Sequence, residues 1–222
     1  MYDPVTGMTM IANNTFRTQR DMMMQVRVID MTGNSKLLTQ QFYEAGPTMA
    51  KNYIPIGRQL DHLRQKEGIF LSLRLVDVHQ QVVSDNLYWL PDSTGVYSGL
   101  QHIGQATPGV EAKTIEANTA TASASGQAPS APHAQSGTHA LIAVTLRNPA
   151  GGPVAFFNRL SLVDPATKQR LLPVFYSDNY VSVLPGESKT ITLEYTPQPG
   201  APVPQVSVRG WNVPEKFYTP GR

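Results

Sequence analysis

Short runs of alternating apolar and polar residues, broken about every ten residues by Gly, Pro, Asn or Asp, fill most of this chain. The runs "MTMIANN" (8–14), "MMMQVRVID" (22–30), "KLLTQQFYE" (36–44), "KNYIPI" (51–56), "IFLSLRLVDV" (69–78) and "VVSDNLYWL" (82–90) follow one another closely. A strand sends successive side chains to opposite faces. Met24, Val26 and Val28 therefore share a face against Gln25 and Arg27, and Ile69, Leu71, Leu73 and Leu75 oppose Phe70, Ser72 and Arg74. Pro55 suits an edge strand, where a missing N–H costs no ladder bond. The one helical interruption, Gly57 to Gly68, predicts a loop with one short helix at most. Six or seven short strands at this spacing predict a β-sandwich.

The pattern resumes after a change of composition. "ANTATASASGQAPSAPHAQSG" (117–137) is small and polar, and cannot bury a core of its own. Upstream of it "VEAKTIEA" (110–117) still alternates. Downstream, "HALIAVTLRNP" (139–149), "VAFFNRLSLVD" (154–164), "RLLPVFY" (170–176), "YVSVL" (180–184), "SKTITLEY" (188–195) and "PQVSVRGWNV" (204–213) predict a second sandwich. The expected domains are 1–95 and 96–222, with the boundary near Pro91–Gly99 and the low-complexity part, about 117–138, as a loop inside the second. "LPGES" (184–188) is a turn with Pro185 at the first corner and Gly186 supplying positive φ at the second. "VDPATKQR" (163–170) predicts a hairpin turn opened by Asp-Pro.

Two segments echo one another. "LRLVDVHQQVVSDNLYWLP" (73–91) and "LSLVDPATKQRLLPVFYSDNYVSVLP" (160–185) both run from Leu-x-Leu-Val-Asp through Ser-Asp-Asn to Leu-Pro. In the first sandwich the Ser-Asp-Asn strand is the last, whereas in the second at least two strands follow. A duplication would keep that phase. The echo thus predicts one shared hairpin pattern used at two places.

Composition narrows function mainly by exclusion. The chain has 18 Lys and Arg against 16 Asp and Glu, a formal net charge of +2 with no basic stripe, which does not point to nucleic acid. It has no cysteine, so disulfides, thiol catalysis and Cys-based metal sites are out. That fits a reducing cytoplasm and an exported protein without disulfides equally. No apolar run is long enough to span a bilayer, so no membrane partner is expected, and "MYDPVTGMTM" lacks the basic and apolar regions of a signal peptide. No Gly-rich phosphate loop or Gly-x-Ser-x-Gly elbow occurs. His62, His79, His102, His133 and His139 show no metal-ligand spacing and are read as solvated neutral side chains. No catalytic, cofactor-binding or metal-binding residue is assigned, and no cofactor is expected. Asn13-Asn14-Thr15 matches a glycosylation sequon and is read as a chance match.

Asp178, Asn179, Tyr180 and Trp211 are the candidate ligand or interface residues. Asp85-Asn86 and Asp178-Asn179 could hold calcium or a sugar, but Asp and Asn beside Ser also cap backbone at a bend, and that structural role is preferred. On it, Asp178 accepts backbone amides and holds the bend between Tyr176 and Tyr180. Trp89 and Trp211, with Tyr88, Tyr176 and Tyr180, could stack on a sugar ring or simply fill a core.

Four passages carry a family resemblance: "YDPVTGMTMIANNTF", "FLSLRLVDVHQQVVSDNLYWLP", "AFFNRLSLVDPATKQRLLPVFYSDNYVSVLPGESKTITLEY" and "VSVRGWNV". Together they resemble the C-terminal immunoglobulin-like tail of glycoside hydrolase family 2, in the exo-β-D-glucosaminidase and β-mannosidase-like branch. The resemblance implies an all-β chain of two immunoglobulin-like β-sandwich domains in tandem. It also implies a non-catalytic accessory region packing on the catalytic barrel of the same polypeptide, in a bacterial parent exported to the periplasm or medium. The family's catalytic Glu residues lie on that barrel, so none is carried over here. An independent carbohydrate- or surface-binding module and a structural spacer remain the alternatives.

Overall fold

A computed structural model describes residues 1–64, 67–115 and 139–221. The low-complexity segment expected at 117–138 lies outside the described residues. By its contacts the chain divides into two compact units, Met1–Gly104 with Gly151–Val154, and Gln105–Ala150 with Ala155–Arg222.

The first unit contains β1 (Tyr2–Asp3), β2 (Met8–Asn13), β3 (Gln19–Ile29), β4 (Ser35–Ala45), β5 (Met49–Pro55), α1 (Gly57–Leu63), β6 (Ile69–Val76), β7 (Val82–Leu90) and a single helical turn, α2 (Gly99–His102). They form two antiparallel sheets in the orders β1-β2-β5 and β4-β3-β6-β7. The alternation marks the face between them: Met24, Val26 and Val28 meet Ile69, Leu71 and Leu73, with Ile56 and Leu60 beside them. Each large apolar side chain taken fully from water contributes roughly 1.5–3 kcal/mol. The other face of β6 is also covered, for Phe70 is 0% exposed. Pro55 sits in the edge strand β5, as expected, and α1 is the short helix the sequence allowed.

Aspartates tie the connections of this unit. Asp30 Oδ1 accepts the amides of Thr32 and Asn34 at 2.9 Å each. Asp77 Oδ1 takes those of His79 and Gln81 at 2.9 and 2.8 Å, and Asp92 Oδ1 those of Thr94 and Val96 at 2.8 and 2.9 Å. In each loop the fourth residue has positive φ: Gly33, Gln80 and Gly95. Burial raises the Asp30 carboxyl, but hydrogen bonds from Thr32 and Asn34 outweigh it and hold the group below the ordinary range. The amide of Val96 and the Thr94 side chain do the same for Asp92. At the end of β2, Asn13 is 6% exposed. Its Nδ2 donates to the carbonyls of Arg17, Ala45 and Gly46 at 2.8, 3.1 and 2.8 Å, and its Oδ1 accepts from the Thr15 amide at 3.0 Å.

The second unit contains β8 (Gly109–Ile115), β9 (Ala140–Arg147), β10 (Ala155–Val163), β11 (Val174–Tyr176), β12 (Val181–Val183), β13 (Ser188–Tyr195), β14 (Gln205–Arg209) and β15 (Lys216–Tyr218). Its antiparallel sheets have the orders β11-β13-β9-β8 and β12-β10-β14-β15. Ile142, Val144, Ile191 and Leu193 of one pack in a single core with Leu160, Leu162, Val181, Val206 and Val208 of the other. Both units are all-β sandwiches.

The hairpin turn expected at 163–170 forms, but the hairpin it opens is short. Asp164 does open a tight turn, accepting the amides of Ala166 and Thr167 at 2.9 and 2.7 Å, and Val163 bridges to Arg170. The chain then leaves: β11 joins the sheet of β13, not that of β10. Pro173, directly before β11, has no N–H with which to prolong the pairing. The "LPGES" turn is as expected, with Gly186 at φ 79° and the Glu187 amide donating to Leu184 O at 3.0 Å.

Candidate functional site

The sequence around Phe156 breaks its own alternation. Two large aromatics in succession cannot both enter one core face. The chain solves this with a bulge in β10: Ala155 pairs with Val183 and Asn158 with Val181, so one extra residue lies on the β10 side. Phe156 turns inward and is 4% exposed, while Phe157 adopts φ 56° and is 40% exposed. Asn158, fully buried, fastens the bulge by donating from Nδ2 to Ala155 O at 2.7 Å and Val181 O at 2.9 Å. The Phe157 amide donates to Ser182 Oγ at 3.1 Å, and the Phe156 amide to Asn212 Oδ1 at 2.9 Å.

The neighbouring segment carries three of the candidate residues. Ser177 continues the pairing of β11 with β13: its amide donates to Thr192 O, and its Oγ accepts from the Thr192 amide, both at 2.9 Å. Asn179 then starts pairing with β10 in the other sheet. Its Oδ1 accepts from the Leu160 amide at 2.8 Å, and its Nδ2 donates to Leu160 O at 3.0 Å. Asn179 Oδ1 also takes the Tyr180 amide at 2.8 Å. The residue that holds the bend is therefore Asn179 and not Asp178, because pairing with a backbone unit needs a donor as well as an acceptor. Asp178 is exposed and, among the described residues, accepts only the next amide, that of Asn179, at 2.7 Å. Tyr180 follows at φ 56°, and its ring lies 5.2 Å from that of Phe157.

Trp211 arrives from the third side. Arg159 pairs with Arg209, and the Trp211 amide donates to Phe156 O at 2.9 Å, which puts Trp211 opposite Phe156, beside the bulge. This close approach requires Gly210. A Cβ there would stand 2.8 Å from Phe156 O and 2.9 Å from Asn158 Oδ1. Trp211 is 60% and Tyr180 50% exposed. Three exposed aromatics thus lie on three adjacent segments at one end of the second unit, and Asp178 stands beside them in sequence. Asp178, Asn179, Tyr180 and Trp211 are legible as candidates in the sequence, whereas Phe157 is not among them. The signal for it is the Phe-Phe doublet inside an alternating strand.

The other Ser-Asp-Asn tripeptide makes no such site. Ser84, Asp85 and Asn86 lie within β7, opposite Leu75, Arg74 and Leu73. Ser84 and Asn86 help line a cavity of about 320 Å³ with Met10, Ile11, Met24 and Leu73. Among the described residues that line it there is no acidic or histidine side chain. Among the described residues no group of three His, Asp or Glu side chains could hold a metal. His139 is exposed, as expected, and its Nδ1 lies 3.1 Å from Oε1 of Glu194, whose side chain is also exposed, where β9 begins beside the end of β13.

The model of the exo-β-D-glucosaminidase immunoglobulin-fold domain matches residues 86–213. Similar curated proteins include the exo-β-D-glucosaminidase of Streptomyces avermitilis, 33% identical over 65% of this chain and 16% of its own length. The exo-β-D-glucosaminidase of Arthroderma benhamiae is 28% identical over 86% of this chain and 20% of its own. The mannosylglycoprotein endo-β-mannosidase of Lilium longiflorum is 40% identical over 38% of this chain and 9% of its own. Among solved structures, the exo-chitosanase of Amycolatopsis orientalis matches with a TM-score of 0.77 at 21% identity, over 99% of this chain and 26% of that one. The chain spans between 9% and 20% of the length of the curated relatives it matches.

Proposed function

Because the chain belongs to the exo-β-D-glucosaminidase immunoglobulin-fold domain family, we propose that it is the non-catalytic accessory region of a longer β-glycosidase. The enzyme would be a glycoside hydrolase family 2 member of the glucosaminidase or mannosidase-like branch, and this region would pack on and support its catalytic barrel. The observation that carries this is the mismatch in length: the chain is matched almost end to end, yet only over a small part of each relative. The turn aspartates support the same reading. Glycoside hydrolysis uses two carboxyl groups facing each other across the scissile bond. Here Asp30, Asp77, Asp92 and Asp164 are each engaged by the amides of their own turns.

Extending the coding sequence upstream of Met1 tests the proposal. The expected finding is an in-frame (β/α)8 barrel, and an in-frame stop would overturn it. The purified chain should also leave p-nitrophenyl β-D-glucosaminide and β-D-mannoside unhydrolysed. Turnover by the chain alone would refute an accessory role.

A further inference from the structure

We propose that the aromatic end of the second unit is a secondary carbohydrate site, where Phe157, Tyr180 and Trp211 stack on β-linked amino-sugar rings and Asp178 faces their ammonium groups. The choice of amino sugar rests on the accessory role proposed above; the site itself rests on geometry.

Backbone strain is the first support. Phe157 and Tyr180 both hold φ 56°, a region that suits glycine and is costly for bulky side chains. A structure that only needed the bend could use Gly or Asn there. Instead the two strained positions bring two rings together 5.2 Å apart, with interplanar tilts of 47° between Phe157 and Tyr180 and 41° between Phe156 and Phe157.

Composition of the patch is the second. Its exposed large apolar side chains are Phe157, Tyr180 and Trp211, and the side chains beside them in sequence and hydrogen bonding are Asp178, Asn179, Ser182 and Asn212. The exposed aliphatics Leu172 and Val203 help line a proline-rich pocket with Asp164, Tyr195 and Pro204, at the far end of β10 and β13. A protein-docking core mixes aromatics with aliphatic side chains and Met. Aromatic rings set among polar groups suit a ligand with an apolar ring face and a polar edge, which is the character of a pyranose. Asp178 adds charge: Oδ1 takes one amide, and Oδ2 has no partner among the described residues. That free oxygen can accept an ammonium group.

Fluorescence of Trp211 is the direct test. The chain has two tryptophans, so Trp89→Phe leaves Trp211 as the only indole. Titrating this protein with the β-1,4-linked glucosamine tetramer should give a saturable change in emission. Tyr180→Gly, which keeps an allowed backbone and removes the ring, should weaken binding about tenfold. Asp178→Asn should weaken the glucosamine tetramer and leave the N-acetylated tetramer unchanged. No saturable change at millimolar sugar, or equal affinity in Tyr180→Gly, would overturn the stacking site. Equal loss for both tetramers in Asp178→Asn would overturn the role of Asp178. A patch that instead docks a second copy of this chain would show concentration-dependent association without a sugar response, which also refutes the proposal. These outcomes do not depend on what lies upstream of Met1, so the accessory role and the sugar site fail separately.

Discussion

Ser84-Asp85-Asn86 and Ser177-Asp178-Asn179 are the same tripeptide, and the two sandwiches use them in opposite ways. The first lies inside β7 and stays in one sheet, with its residues opposite Leu75, Arg74 and Leu73. The second carries the chain from one sheet to the other. Ser177 closes the pairing with Thr192, and Asn179 opens the pairing with Leu160. What separates them is the backbone on either side. β7 follows a two-stranded turn and continues extended, whereas Asn179 is followed by Tyr180 at φ 56°. Because an asparagine side chain offers a donor and an acceptor as a peptide unit does, Asn179 can pair with a strand while its own main chain is turning. The lesson is that a polar tripeptide has no fixed structural meaning until its neighbours fix the backbone.

The largest effect that could break this comparison is expected at the two asparagines. Asn179→Ala should leave the amide and carbonyl of Leu160 unpaired and destabilise the second unit by about 1–3 kcal/mol. Asn86→Ala should stay within about 0.5 kcal/mol. Chemical denaturation of both variants measures the gap, and equal losses would erase the distinction. Next comes the backbone after Asn179. Tyr180→Ala and Tyr180→Gly both lose the ring, but only glycine escapes the cost of positive φ. The glycine variant should be more stable than the alanine variant by about 1 kcal/mol, as read from thermal melts.

Acid sharpens the contrast between turn aspartates and Asp178. The amide and side chain of Thr167 hold Asp164 below the ordinary carboxylate range, as comparable bonds do for Asp30 and Asp92. A carboxyl group that is more acidic folded than unfolded contributes fully above its unfolded value, about 3.9. That contribution is lost as pH falls from there through the lower folded value. Melting temperature should therefore drop as pH falls below about 4, and Asp164→Asn should flatten the drop. The smallest effect is expected at Asp178, whose one bond among the described residues is to the adjacent amide. Asp178→Ala should change stability by less than about 0.5 kcal/mol, and a larger loss would return the bend to the aspartate.

The sandwich character was legible in the sequence because period-two alternation survives in long strands. β13, for example, spans the predicted residues 188–195. β1 and β15, two and three residues long, are too short to show a period. The crossing from β10 to β11 was missed for another reason: which sheet a strand joins is decided by distant partners, and the local turn at Asp164 looks the same either way. At the candidate site, Tyr180 and Trp211 stood out as aromatics beside polar residues. Phe157 did not, because its exposure comes from a bulge that depends on Asn158 and on the absence of a side chain at Gly210. Asp178 is the expected holder of the bend because a carboxylate accepts backbone amides, whereas the geometry calls for an amide that donates as well.

Asn13 carries a consequence for how the chain can be made. Its side chain is committed to three carbonyls and one amide inside the first unit, yet it also heads the triplet Asn-Asn-Thr. A glycan on Asn13 would replace a donor proton with a bulky sugar where there is no room for it. In a eukaryotic secretory pathway the triplet meets the transferase while the chain is still unfolded, and any molecule modified there could no longer close β2 onto the β4–β5 turn. Secretion from yeast should thus yield a misfolded glycosylated fraction that Thr15→Ala abolishes, while cytoplasmic bacterial production escapes the problem altogether.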